Sequence, residues 1–167
     1  FKVHKSPFKS ILNEIFSLGD YPKILHFNSP LGSKKVNLYS SDDFSTFNLI
    51  FCRQDYLFMD HQKIILDIGS NIGLSAIFWL TRNENTIVHC YEPSTKNYEK
   101  LKKNLKDFNG RFSAYKKAVS SESFSSYLNL EKTGVYNSIN NLNKDKNYFQ
   151  KEKCEVVSIN SCLDNII

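Results

Sequence analysis

Leu66-Asp67-Ile68-Gly69-Ser70-Asn71-Ile72-Gly73 is the stretch on which the reading of this chain turns. Lys63–Ile68 is a short apolar run that ends in Gly69, the pattern of a buried parallel strand. Ile72–Leu80 is apolar nearly all round, which predicts a helix packed inside the domain. The turn between them suits a ligand crossing a strand end. Gly69 can take positive φ and leaves room there, and Gly73 lets the helix begin close to the sheet. A dinucleotide fingerprint would place glycine at 69, 71 and 74, whereas Asn71 and Leu74 stand here, which counts against NAD or FAD. No Lys-Ser/Thr pair closes the loop, so it is not a P-loop either.

Downstream, Thr86–Tyr91 reads as a second strand ending at Glu92-Pro93. Ser94–Phe108 reads as a helix capped by Ser94, with Tyr98, Leu101 and Leu105 on one face and Asn109-Gly110 as its stop. Arg111–Ser120 is a third predicted strand, and the alternation indicates an α/β fold with a parallel, doubly wound sheet. Phe124–Leu130 and Glu155–Ile159 are further strand candidates, and Ser161–Ile167 begins a short helix. Upstream, Ser6–Leu18 has helical spacing, and Tyr21–Ser33, with Pro22, Pro30 and Gly32, reads as loop. Lys35–Tyr39 alternates as a short strand, and Ser41-Asp42-Asp43 offers a cap for an amphipathic helix through Phe51. The expected division is an entry segment, 1–60, and a cofactor-binding domain, 61–167.

The composition agrees with a packed domain: 41% of the 167 residues are hydrophobic, and thirteen Phe and nine Tyr supply bulky core material. The formal net charge of +5 does not by itself indicate a nucleic-acid partner, because many lysines sit at helical spacing beside acids, as in Tyr98–Asp107, the pattern of a solvated face. No apolar run is long enough to span a membrane, and Phe1-Lys2-Val3-His4-Lys5 has no signal-peptide character. Cys52, Cys90, Cys154 and Cys162 form no C-x-x-C pair, which fits reduced thiols in a cytoplasmic setting, and no metal site is predicted.

Glu92 closes the second strand one β-α-β unit after the glycine loop. A carboxylate at this position can accept hydrogen bonds from both ribose hydroxyls of a nucleoside. Asp67 ends the first strand. The bland alternative is that both acids only cap turns. The loop, the preceding Asp and the later Glu together favour a nucleoside-cofactor site.

These residues resemble a known family. ILDIGSNIGLSAIFW (65–79), VHCYEPSTKNYEKLKKNL (88–105), KKAVS (116–120) and EVVSINSCL (155–163) are similar to the FkbM family of S-adenosylmethionine-dependent methyltransferases, and SSDDFSTFNLIFCRQDY (40–56) resembles its entry segment. The resemblance spans roughly Val36 to Leu163 and implies a Rossmann-like class I methyltransferase fold with S-adenosyl-L-methionine as cofactor. It implies that Asp67, Gly69, Ser70, Asn71 and Gly73 line the methionine and ribose part and that Glu92 holds the ribose. Pro93 and Ser94 would lie beside the adenine and Ala118 and Val119 along its edge. Lys116-Lys117 stand where the wider superfamily often has an acid or amide. Tyr56 can fold over the cofactor or serve as a core aromatic. The family's K-I-D-x-E-G-type motif does not occur before Ile167, and no initiator Met is present. The expectation is an internal piece of a longer protein, with the sheet incomplete at its C-terminal side and the piece inactive alone.

The implied reaction is methyl transfer to oxygen of a sugar, glycan or small metabolite, for which a base would remove the acceptor's proton. No catalytic residue is assigned. His89 alternates inside a strand as a structural residue would, His61 sits in a turn, and Asn137-Ser138 can be an overhanging loop or an ordinary hairpin tip. A non-catalytic domain that keeps the fold for binding or assembly is the alternative. The sequence carries no signal for an oligomeric state.

Overall fold

The structure, a computed structural model, describes residues 3–4, 20–59, 61, 63–131, 137–139, 148–164 and 166. The helix expected over Ser6–Leu18 lies outside the described residues. The first described element corrects the reading of Tyr21–Ser33 as loop. β1 (Lys23–Ser29) and β2 (Gly32–Leu38) form an antiparallel hairpin, with Ser29 opposite Gly32. Pro30 sits in the turn between the strands, where it costs no ladder hydrogen bond, so its presence did not argue against strands on either side. Phe27, Val36 and Leu38 are buried on one face of the hairpin.

Helix α1 (Ser41–Phe51) begins one residue earlier than the sequence predicts. Ser40, in extended backbone, is the cap, and its hydroxyl accepts the Asp43 N–H at 3.2 Å. Asp43 reaches back and accepts the Tyr39 N–H at 2.7 Å, so two backbone donors at the helix start are satisfied reciprocally. Phe44, Phe47, Ile50 and Phe51 form the buried stripe. Phe47 and Phe51 stack at 4.3 Å between ring centroids, Phe27 meets both edge-on, and Phe51 meets Phe78 at 5.5 Å. The hairpin and α1 therefore share one hydrophobic core with the downstream strands and helices.

The central sheet has the order β3 (Ile64–Ile68), β4 (Ile87–Tyr91), β5 (Phe112–Tyr115), all parallel. Between these strands run α2 (Leu74–Leu80), all seven of whose residues are buried, and α3 (Thr95–Leu105), which continues into a 3-10 turn at Lys106–Phe108. Right-handed crossovers in one winding direction place both helices on the same face, and Val88 and Cys90 are fully buried beneath them. Ile64 and Ile68, which alternate with Asp67 along β3, are about half exposed on the other face.

Among the described residues the parallel sheet winds one way, from β3 to β4 to β5. One expectation is corrected here. Arg111–Ser120 is not one strand: β5 stops at Tyr115, and β6 (Ala118–Ser120) belongs to a second sheet of order β6-β8-β7, with β7 (Phe124–Glu131) and β8 (Tyr148–Ser158). The break falls at Lys116-Lys117. Lys117 pairs with Glu155 at 2.7 Å, and Lys116 lies 3.9 Å from Glu152. Ala118, Leu128, Cys154 and Val156 form the second sheet's own small core, and α4 (Ile159–Asp164) follows β8.

Asn104 ties these layers together. Its carbonyl oxygen accepts the Asn37 N–H and side-chain amide, both at 2.9 Å, and its amide donates to the carbonyls of Asn37 and Ile72. Asn104→Ala would strand a half-buried Asn37 N–H and the buried Ile72 carbonyl. A loss of about 1–3 kcal/mol is expected in denaturant unfolding, with the glycine loop loosened because Ile72 belongs to it.

Candidate cofactor site

The site forms where β3 and β4 end. Gly69 and Ser70 donate their N–H groups to the Tyr91 carbonyl, at 2.9 and 3.1 Å, and the Glu92 N–H continues the ladder to Tyr115. The loop is pulled onto the neighbouring strand end, and Glu92 then faces it. Glu92 is the hinge of the arrangement: Oε2 accepts the Asn71 N–H and Oε1 accepts the Ser94 N–H, each at 2.9 Å. One carboxylate thus joins the turn after β3 to the start of α3. It is 5% exposed, and burial raises its pKa to about 7 against the opposing effect of those two N–H donors and of a hydrogen bond from the Asn97 side chain. The Asn97 side chain is a third donor to it, and a carboxylate, with about four lone-pair sites, keeps acceptor capacity beyond these three.

The two glycines do different jobs. Gly69 has φ +77 with open space where a side chain would begin, so the loop presents bare backbone there. Gly73 caps α2 at φ +87, and a Cβ on it would meet Leu101 Cγ at 3.4 Å. Its smallness lets α2 approach α3, rather than the sheet as the sequence suggested. Both Gly→Ala changes incur the cost of the left-handed backbone, about 1–2 kcal/mol. Gly73→Ala adds crowding between helices and is expected to lower the melting temperature more than Gly69→Ala. Asn71 also has positive φ, +48, a conformation that asparagine tolerates better than most residues.

Asp67 is 7% exposed, and its Oδ2 accepts the Ser75 hydroxyl at 2.7 Å. Burial raises its pKa, and the Ser75 bond opposes the shift. Ser70 is turned inward and donates to the Asp67 carbonyl at 2.8 Å. Ser94 caps α3, and Pro93 beside it is half-buried. Ala118 stands apart, packed in the second core opposite Val156.

Beside the loop lies a cavity of about 130 Å³. Gly69, Ser70, Asn71 and Ser75 form one wall, and Asp43 and Thr46 of α1 form part of the other. Tyr56 also lines it. Its ring lies 5.3 Å from Trp79 and is 42% exposed, so it is an edge of the cavity rather than a core side chain. The contribution of α1 escaped the sequence reading, in which Asp43 was a helix cap. The available signal was an acid at the third helical position, inside an amphipathic helix that precedes the first parallel strand.

The histidines stay away from this cavity. His89 is half-buried on β4, stacked against Tyr115, with its pKa lowered by burial. Ser138 exchanges backbone hydrogen bonds with Asn129, which places it along β7. Among the described residues no group of three or more His, Cys, Asp or Glu could hold a metal ion, and no helix is long and apolar enough to cross a membrane.

No family model matches the chain, and no curated protein does. Among solved structures, it is similar to a methyltransferase FkbM from Methylobacillus flagellatus KT, at 17% identity and a TM-score of 0.43, over 72% of this chain and 27% of that one. It is also similar to a proposed RNA methyltransferase from Pyrococcus horikoshii, at 22% identity and a TM-score of 0.31, over 44% of this chain and 37% of that one. The chain thus spans well under half the length of either structure.

Proposed function

We propose that the strand-end loop and Glu92 form an S-adenosylmethionine site and that the chain is the cofactor-binding part of a methyltransferase of the FkbM type. The observation that carries this reading is the Glu92 carboxylate, buried at the strand end and held against the glycine loop through Asn71. The residues fit the cofactor. Gly69 leaves the loop backbone open, Glu92 retains acceptor capacity for a ribose diol, and Pro93 and Ser94 stand next to it for the base. Asp67 lies behind the loop as a second acid, favouring a positively charged ligand. The cavity of about 130 Å³ is smaller than the roughly 300 Å³ at the lower end of small-molecule pockets, so it suits one end of such a cofactor, not the whole.

When bound, the cofactor's sulfonium supplies an electrophilic methyl group, and the contribution of these residues is orientation. The proposed acceptor is a hydroxyl of a sugar, glycan or small metabolite, not a nucleic acid. Lysines of α3 such as Lys102, paired with Glu99 at 2.8 Å, fit a solvated helix face. Isothermal calorimetry should detect S-adenosylmethionine and S-adenosylhomocysteine binding to the protein. Binding of neither, or tight binding of NADH in their place, would sink this reading.

A further inference from the structure

Helix α1 contributes a carboxylate to the wall of the cavity, although the helix belongs to the segment before the first parallel strand. Asp43 is 5% exposed and lines the cavity across from Gly69, Ser70 and Asn71. A buried acid on an apolar helix face is costly unless something compensates for it. Part of the compensation is local: Oδ2 accepts the Tyr39 N–H, the Ser40 N–H and hydroxyl also bond the carboxylate, and the charge of Lys100 on α3 acts at longer range. Burial still dominates and raises the acid's pKa. A cation in the cavity would stand beside this carboxylate.

The remaining lining suits such a cation. Thr46 stands one turn further along α1, Ser75 supplies a hydroxyl, and the ring of Tyr56 closes an edge. Asp67 lies directly behind Ser75, bonded to its hydroxyl, and adds a second negative charge. Among the described residues no lysine or arginine lines the cavity. Its size is that of a small polar group, and the Glu92 carboxylate, which is not part of its lining, accepts the Asn71 N–H. A ligand whose ribose reaches Glu92 would therefore extend its other end past Asn71 towards Asp43.

We propose that Asp43 binds the α-ammonium group of the cofactor's amino-acid end, making α1 a recognition element of the site. This rests on the S-adenosylmethionine reading and adds the residue that distinguishes an amino-acid-bearing nucleoside from a plain one. Asn at position 43 can still accept the Tyr39 N–H, so the helix start is preserved while the charge is removed. Thr46→Lys leaves that cap untouched and places a positive charge on the same wall.

The test is calorimetry on the full chain with three ligands: S-adenosylmethionine, S-adenosylhomocysteine and 5′-methylthioadenosine, which lacks the amino-acid end. Asp43→Asn and Thr46→Lys are each expected to weaken the first two by about tenfold or more, the scale of a lost charge-assisted hydrogen bond. Binding of 5′-methylthioadenosine should stay within about twofold of wild type, a selectivity that loss of folding cannot imitate. Equal weakening of all three ligands, or unchanged binding of the first two in either variant, would overturn the assignment of Asp43 alone. Absence of binding by the wild-type protein would overturn the site reading as well.

Discussion

S-adenosylmethionine binding is expected to weaken as the pH falls below about 7, the value to which burial raises Glu92, by up to about tenfold for each pH unit. The ribose diol donates two hydrogen bonds, and the ionised carboxylate is the form that accepts both. Protonation turns one of its oxygens into a donor and removes the charge that strengthens the pair. Stability should move the other way. The folded-state pKa of Glu92 is raised from the ordinary 4.5 to about 7, so in that window the native protein holds a proton that the unfolded chain has released. Stability therefore falls as the pH rises from about 4.5 to 7, and the contribution of this group is constant above that. Asp43 and Asp67 are also raised by burial and act in the same sense. Mild acidification should thus weaken cofactor binding while raising the melting temperature. Calorimetric titrations and thermal melts at matched pH values check both halves, and parallel changes in binding and stability would contradict the role given to Glu92. Glu92→Gln is not a neutral substitute, because an amide nitrogen cannot accept the N–H that one carboxylate oxygen now accepts. It is expected to loosen the Asn71–Ser94 link as well as remove the charge.

Phe47→Ala should destabilise the chain by about 3–5 kcal/mol, the range for emptying a large aromatic site in a packed core. Phe47 is fully buried, stacks on Phe51 and meets Phe27 edge-on, so its removal breaks contacts to both β1 and α1. A domain of this size has a total stability of only about 5–15 kcal/mol, so a substantial unfolded fraction at elevated temperature is expected. Leu49→Ala, on the exposed side of the same helix, should change stability by less than about 0.5 kcal/mol. Denaturant unfolding of the two variants separates a structural role of α1 in the common core from that of an attached accessory segment. Comparable small effects would mean that the upstream segment folds independently of the sheet.

The strand-helix-strand-helix-strand core was legible because its signals are local. β3 is a short apolar run, α2 is apolar on every side, and α3 carries a Ser94 cap and an Asn109-Gly110 stop. The hairpin was not legible. Leu25 and Phe27 alternate, but prolines at 22 and 30 outweighed that pattern, and pairing with β2 is a tertiary fact. The cap of α1 was misplaced by one residue because Ser40, Ser41, Asp42 and Asp43 are all capable caps, and only backbone geometry selects Ser40. The break at Lys116-Lys117 was hidden for a similar reason, since the partners that end β5 and start a second sheet lie on β8.

By its own residue pattern, the chain determined the two strand ends, the glycine turn between β3 and α2, and the acid that closes β4. Each depends on the preferences of a few neighbouring residues. Tertiary structure alone decided which of these groups meet. It brought the Asn71 and Ser94 N–H groups onto one Glu92 carboxylate, placed Ala118 in a separate core, and set Gly73 against α3. It also carried Asp43 across to the glycine loop, where burial gives an ordinary helix cap the character of a ligand-facing acid. Electrostatic character of this kind comes from the walls around a group and the solvent they exclude, which residues far apart along the chain supply together.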